Sequence, residues 1–160
     1  MILEPKTPVS IRFQDCDPFG HLNNARYLDY FINVREDHLK QHYQISLLEF
    51  MQQGVGWVIH QHELLYLKPA NVYENVQVRS SLIDFNDHSL WVEGSMWDEE
   101  EKHLKALLWT RYIHVNLKTG QKEHHLPEML ERFAKMRNET IGRDAGIKGR
   151  LAQLVPRIPA

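Results

Sequence analysis

The run from Ala25 to Tyr43 constrains this chain more than any other. On a helical wheel Tyr27, Leu28, Tyr30, Phe31, Ile32, Val34 and Leu39 fill a broad apolar arc. Arg26, Asp29, Asn33, Glu36, Asp37 and Lys40 fill the opposite side. So wide an apolar face calls for a helix packed into something large, such as a curved sheet, rather than one lying on a surface. Arg35, His38 and His42 fall within or beside that arc.

The rest of the chain supplies the material for such a sheet. Val9 to Phe13 alternates as a strand does. Beyond Trp57 the period is two, and turn residues cut the chain into Trp57–Leu67, Val72–Asp84, Ser89–Trp97 and Leu104–Leu117. Ser46 caps a short helix, Leu47–Met51, and Pro127 opens another over Glu128–Met136. The order strand, long helix, four strands and short helix predicts an α+β domain, an antiparallel meander of about five strands wrapped around one buried helix. The domain is expected over residues 1–136, with 137–160 as a tail, loosely structured or docked through Leu151–Val155. Five strands leave two free edges, which a two-fold oligomer would pair.

At 160 residues and 42% hydrophobic content the chain suffices for one globular domain, and domains of this size hide roughly two-thirds of their unfolded surface. A formal net charge of -2 gives no basic excess to attract nucleic acid or an anionic membrane surface. The opening MILEPKTPVS has no basic segment followed by an apolar run, and no apolar run approaches a membrane span. The one cysteine, Cys16, excludes an internal disulfide and fits a reducing cytoplasm.

Chemistry concentrates between the first strand and the long helix. In Asp15-Cys-Asp17-Pro-Phe-Gly20-His21-Leu-Asn23-Asn24, Pro and Gly supply a tight turn, and the two asparagines offer caps to the helix. Two carboxylates, a histidine and two carboxamides thus gather beside a helix N-terminus, where unpaired N–H groups and partial positive charge favour a developing anion. Asp in such a place often does no more than cap a turn. Cys16 sits between two acids that raise its pKa, so a thiolate mechanism is rejected. Among ten histidines, the pairs His38/His42, His60/His62 and His124/His125 lack the spacing of a metal site, and no metal or cofactor is expected. Glu63 stands out as a carboxylate on a strand of large apolar residues.

The elements Asp15-x-Asp17-x-x-Gly20-His21-x-Asn23-Asn24-x-x-Tyr27, seven typed positions in thirteen residues, resemble the hotdog-fold acyl-CoA thioesterases of the 4-hydroxybenzoyl-CoA thioesterase type. A weaker likeness lies in Tyr66-Leu-Lys68-Pro69-Ala70, followed by Tyr73. The resemblance spans about Val9 to Phe133. It implies a sheet wrapped around a central helix, protomers paired into a homodimer or homotetramer, and active sites at the interface. It also implies hydrolysis of acyl-CoA, with coenzyme A entering only as part of the substrate. The family's catalytic carboxylate maps onto Asp17, as nucleophile or general base, and its backbone donor to the thioester carbonyl maps onto Asn24 or a neighbour. GHLNN is also similar to the acyl-carrier-protein thioesterases of plants, which implies roles for Asp17, His21 and Asn23. Gly20, Tyr27, Glu63 and Lys68 complete the expected site as substrate-binding residues, and Asp15 is left structural. Where some relatives carry a basic cluster for the coenzyme A phosphates, this chain has the acidic loop Asp84–His88. Lys68, Arg79, Lys105, Arg143, Lys148 and Arg150 stand as replacements. An acyl-carrier-protein thioesterase and a non-catalytic acyl-CoA sensor or scaffold are the alternatives.

Overall fold

The computed structural model describes residues 1–155. Five strands, β1 (Lys6–Ser10), β2 (Val55–Tyr66), β3 (Asn75–Phe85), β4 (Ser89–Asp98) and β5 (Leu104–Asn116), form one antiparallel sheet. Four helices accompany it: α1 (Tyr27–Tyr43), α2 (Leu47–Gln52), α3 (Pro127–Met136) and α4 (Gly146–Leu154). The expected α+β class, a sheet of five strands around a long helix, is the observed one.

The strand order is β1-β3-β4-β5-β2, so the expected meander is correct only for β3, β4 and β5. β2 precedes them in the chain but lies at the far edge beside β5. The chain leaving β2 must therefore cross the end of the sheet to begin β3, and this crossover, residues 67–74, passes the start of α1. The first strand also differs. It covers Lys6–Ser10 rather than Val9–Phe13, and Phe13–Asp15 is a 3₁₀ turn with Phe13 exposed. Pairing with β3 stops because the chain turns to bring the Asp15 carboxylate to the Tyr30 hydroxyl, which donates to Oδ2 at 2.7 Å.

α1 buries Tyr27, Tyr30, Phe31 and Val34 against Val76, Val78, Met96, Ala106 and Leu108 of the sheet. Each such side chain removed from water contributes on the order of 1.5–3 kcal/mol. The approach is close at Gly94, where a Cβ would stand 2.6 Å from Phe31 Cδ1. Further along the same face α3 completes a second cluster, with Met129, Phe133 and Met136 against Leu82, Val92, Tyr43 and Ile45.

The opposite face carries Ile83, Trp97, Leu107 and Trp109, and residues beyond α3 cover it with Ile141 and Ile147. Arg150 of α4 pairs with Glu93, which is 2% exposed and also accepts from Trp109 Nε1 at 2.9 Å. Asp84 is held by Arg143 at 2.8 Å and Arg137 at 3.5 Å. Of the tail expected over 137–160, the described part is helical over Gly146–Leu154 and packed on the sheet, and residues 156–160 lie outside the described residues. Among the described residues no helix is long and apolar enough to cross a membrane.

Candidate active site

The loop before α1 is built by its own backbone. Gly20, at φ 75°, closes a turn by donating its N–H to Asp17 O at 3.0 Å, a conformation that glycine takes without a Cβ penalty. Asp17 Oδ1 accepts from the N–H of Phe19 at 2.9 Å and of His21 at 3.2 Å, which folds the loop around one carboxylate oxygen. The crossover then clamps it: Leu22 N–H donates to Ala70 O and Val72 N–H to Gly20 O, both at 2.8 Å. Beneath, the buried Lys105 ammonium donates to Pro69 O at 2.8 Å and to Glu74 Oε1 at 3.0 Å. These bonds give the crossover a defined position.

A cavity of about 170 Å³ opens between loop and crossover, lined by Asp17, His21, Leu22, Asn24, Tyr27 and residues 66–69. The helix start faces it. Asn23 Oδ1 accepts from Ala25 N–H at 3.0 Å, the N-cap bond expected of it, and Asn23 O accepts from Arg26 N–H. Asn23 N–H donates to Asp15 O. The remaining donor of this turn, Asn24 N–H, has no acceptor among the described residues. The α-helix proper starts at Tyr27, after a 3₁₀ turn over Asn24–Arg26, rather than near Ala25, because the Asn23 cap tightens the first turn.

Tyr27 is 3% exposed, and its oxygen accepts from Ala70 N–H at 3.4 Å. Burial pushes its hydroxyl pKa up, so it meets the site as a neutral phenol. The Tyr66 ring packs edge-on to it at 5.1 Å, and its hydroxyl donates to Asn24 O at 2.8 Å. Asp15 lies behind the loop on the Tyr30 hydroxyl, whose pKa burial pushes up to about 12. Cys16 also has its pKa raised, by desolvation and then by Asp17 and Asp15.

The fold therefore brings Asp17, His21, Asn24, Tyr27 and Lys68 to one cavity. Gly20 and Asn23 shape it without lining it. Glu63 is not brought there: it pairs across the sheet with Trp109, on the face away from α1. Of the cations nominated for coenzyme A, Arg79 is spent on Glu101 and Glu4, Arg143 on Asp84, Arg150 on Glu93 and Lys105 on Glu74. Lys148 lies exposed in α4, and Lys68 alone of the six lines the cavity. The acidic loop lies at the α3 end of the sheet, where Asn86 O accepts from His125. Tyr66 is the site residue that strand patterning overlooks; its only signal was its place beside Lys68-Pro69-Ala70. Among the described residues no group of three or more His, Cys, Asp or Glu side chains is placed to hold a metal ion.

Comparison with known proteins bears on the family and the fold. A family model described as the thioesterase-like superfamily matches residues 11–137. The long-chain acyl-CoA thioesterase FadM of Escherichia coli is 26% identical over 133 residues, 81% of this chain and 99% of that protein. In fold, the DHNA-CoA thioesterase of Staphylococcus aureus superposes with a TM-score of 0.77 at 18% identity, covering 84% of this chain and 91% of that one. A 1,4-dihydroxy-2-naphthoyl-CoA thioesterase from Synechocystis gives 0.75 at 14% identity, covering 83% and 97%.

Proposed function

We propose, from the premise that this chain belongs to the thioesterase-like superfamily, that it hydrolyses fatty acyl-CoA thioesters to the free acid and coenzyme A. One observation carries the reading: Asp17, and Asn24 whose N–H has no acceptor among the described residues, line the same cavity at the head of α1. Hydrolysis needs both. The thioester oxygen, negative once the carbonyl carbon is attacked, accepts from Asn24 N–H in the positive field of the helix end. Asp17, with Oδ1 held by the loop, presents Oδ2 to the reacting carbon or to a water beside it.

On the general-base route Asp17 takes a proton from water as its oxygen bonds to carbon. Collapse of the tetrahedral adduct then breaks the C–S bond, and the proton passes to the departing thiolate. On the nucleophilic route Asp17 forms an anhydride that water hydrolyses, with the same products. His21 lines the cavity and is a donor for the oxygen or sulfur, and Lys68 is the cation available to the coenzyme A phosphates. The likeness to a long-chain enzyme supports a fatty acyl group over an aryl one.

A homodimer joined through β2 belongs to the same proposal. β2 is a 12-residue edge strand with Val58 47% and Ile59 43% exposed, a long edge of the kind that proteins rarely leave unpaired.

The test is thiol release from acyl-CoAs of graded chain length, with Asp17→Asn run beside the wild type. The variant keeps an Asx acceptor for the loop. It should fold and lose at least about 10²-fold in kcat, the scale of a positioned base. Full activity in the variant would remove Asp17 from the mechanism. Acyl-CoA binding without thiol release on any chain length would assign binding alone.

A further inference from the structure

A second cavity, of about 390 Å³, lies at the other end of the molecule, bounded by α1, α2, α3 and the sheet. Its wall is apolar: Leu39, Phe50, Trp57, Val92 and Phe133 contribute. It is separate from the Asp17 loop. Trp57 and Tyr66, one at each site, are nine residues apart on β2, roughly 30 Å at about 3.3 Å per residue.

One feature of the wall does not suit a purely hydrocarbon space. Arg35 lines it and is 9% exposed, yet no carboxylate among the described residues answers its charge. Its Nη1 donates to Ser80 Oγ at 3.2 Å, and its carbon stands 5.7 Å from the Tyr43 ring centre. The ionisable groups acting on it are Tyr43 and Tyr112, both phenols with pKa values raised by burial, so neither supplies an anion near neutral pH. Behind Ser80 stands His38, neutral because burial and Arg35 push its pKa down to about 4. Of the other charged residues at the cavity, Glu36 pairs with Lys40, and Arg132 donates to a neutral acceptor, Tyr43 O, and is less buried than Arg35. A guanidinium taken from water without a counter-charge is costly, and its planar fork matches a carboxylate.

We infer that this cavity is a binding site for a long-chain monocarboxylate, its hydrocarbon chain among the apolar side chains and its carboxylate paired with Arg35. The volume falls in the range of small-molecule sites, roughly 300–1,000 Å³. The ligand class is that of the acid released by the proposed hydrolysis, so the site gives that product a place to bind away from the catalytic loop.

The experiment titrates dodecanoate and 1-dodecanol into the Asp17→Asn protein by calorimetry, which keeps the outcome apart from turnover. Dodecanoate should bind at least tenfold more tightly than the alcohol, and Arg35→Met should bring the ratio to about one. Equal affinities without the Arg35 substitution, or an unchanged ratio with it, would overturn the assignment. Should Arg35→Met not fold, a fatty acid brominated at its tail locates the site by quenching. Trp57 lines this cavity, whereas Trp91, Trp97 and Trp109 belong to the cluster on the opposite face. Quenching should be lost in Trp57→Phe, and quenching that survives there would place the ligand elsewhere.

Discussion

At the scale of single residues, this protein invests in neutral buried histidines. His38 is fully buried between Ser80, which it meets through Nδ1 at 2.7 Å, and Thr7, which it meets through Nε2 at 2.9 Å. Because Arg35 donates to the Ser80 oxygen, the hydroxyl proton goes to Nδ1 and the Nε2–H tautomer follows. His125 accepts from Trp57 Nε1 at 3.0 Å and donates from Nδ1 to Asn86 O at 2.9 Å. Protonation would cost each ring an accepted bond as well as its burial. Desolvation is the first cause that holds both pKa values down at about 4. The unfolded chain, with histidine near 6.5, binds these protons earlier. Their stabilisation is therefore full above pH 6.5 and is lost as pH falls towards 4, by up to about 3 kcal/mol for each histidine. Urea unfolding across that window should show the fall, and a flat profile would refute it.

At the scale of elements, the head of α1 and the crossover form one working unit. Its sharpest test uses proline. Asn24 opens the first turn, where proline is tolerated, and Asn23 before it is extended at φ -61°, ψ 134°, as a residue preceding proline should be. Asn24→Pro thus deletes the proposed oxyanion donor while sparing the helix. Thermal unfolding should change little, and kcat should drop about 10²–10³-fold. Asn24→Ala, which keeps the N–H, should retain most activity, and equal losses in both variants would transfer the role to the side chain. The loop itself was legible in the sequence because the Asp17 side chain, the Gly20 N–H and the Asn23 side chain bond to residues within four positions of them. That Tyr66 would bond Asn24 O, and that Lys105 would hold the crossover, was not legible, because each bond joins residues more than thirty positions apart in the chain.

At the scale of the whole molecule, the two faces of the sheet are closed in different ways. α1 and α3 cover one face. The segment after α3 covers the other and seats Arg150 on the buried Glu93. With both faces covered, the sheet edges β1 and β2 remain for a second copy, and β2 is the longer, 12 residues against five. Substituting Val58→Lys and Gln61→Lys together, both on exposed positions of that edge, should convert a dimeric wild type into monomers in sedimentation. A wild type that sediments as a monomer would end the dimer proposal. The sequence alone determined the α+β class, the buried helix and the loop at its head, because hydrophobic period and turn chemistry act over a few residues. Only the tertiary structure decided that β2 lies beside β5, that the crossover therefore roofs the Asp17 cavity, and that Arg35 faces an apolar space without a counter-ion among the described residues. Those outcomes depend on which distant segments meet, and no local pattern encodes them.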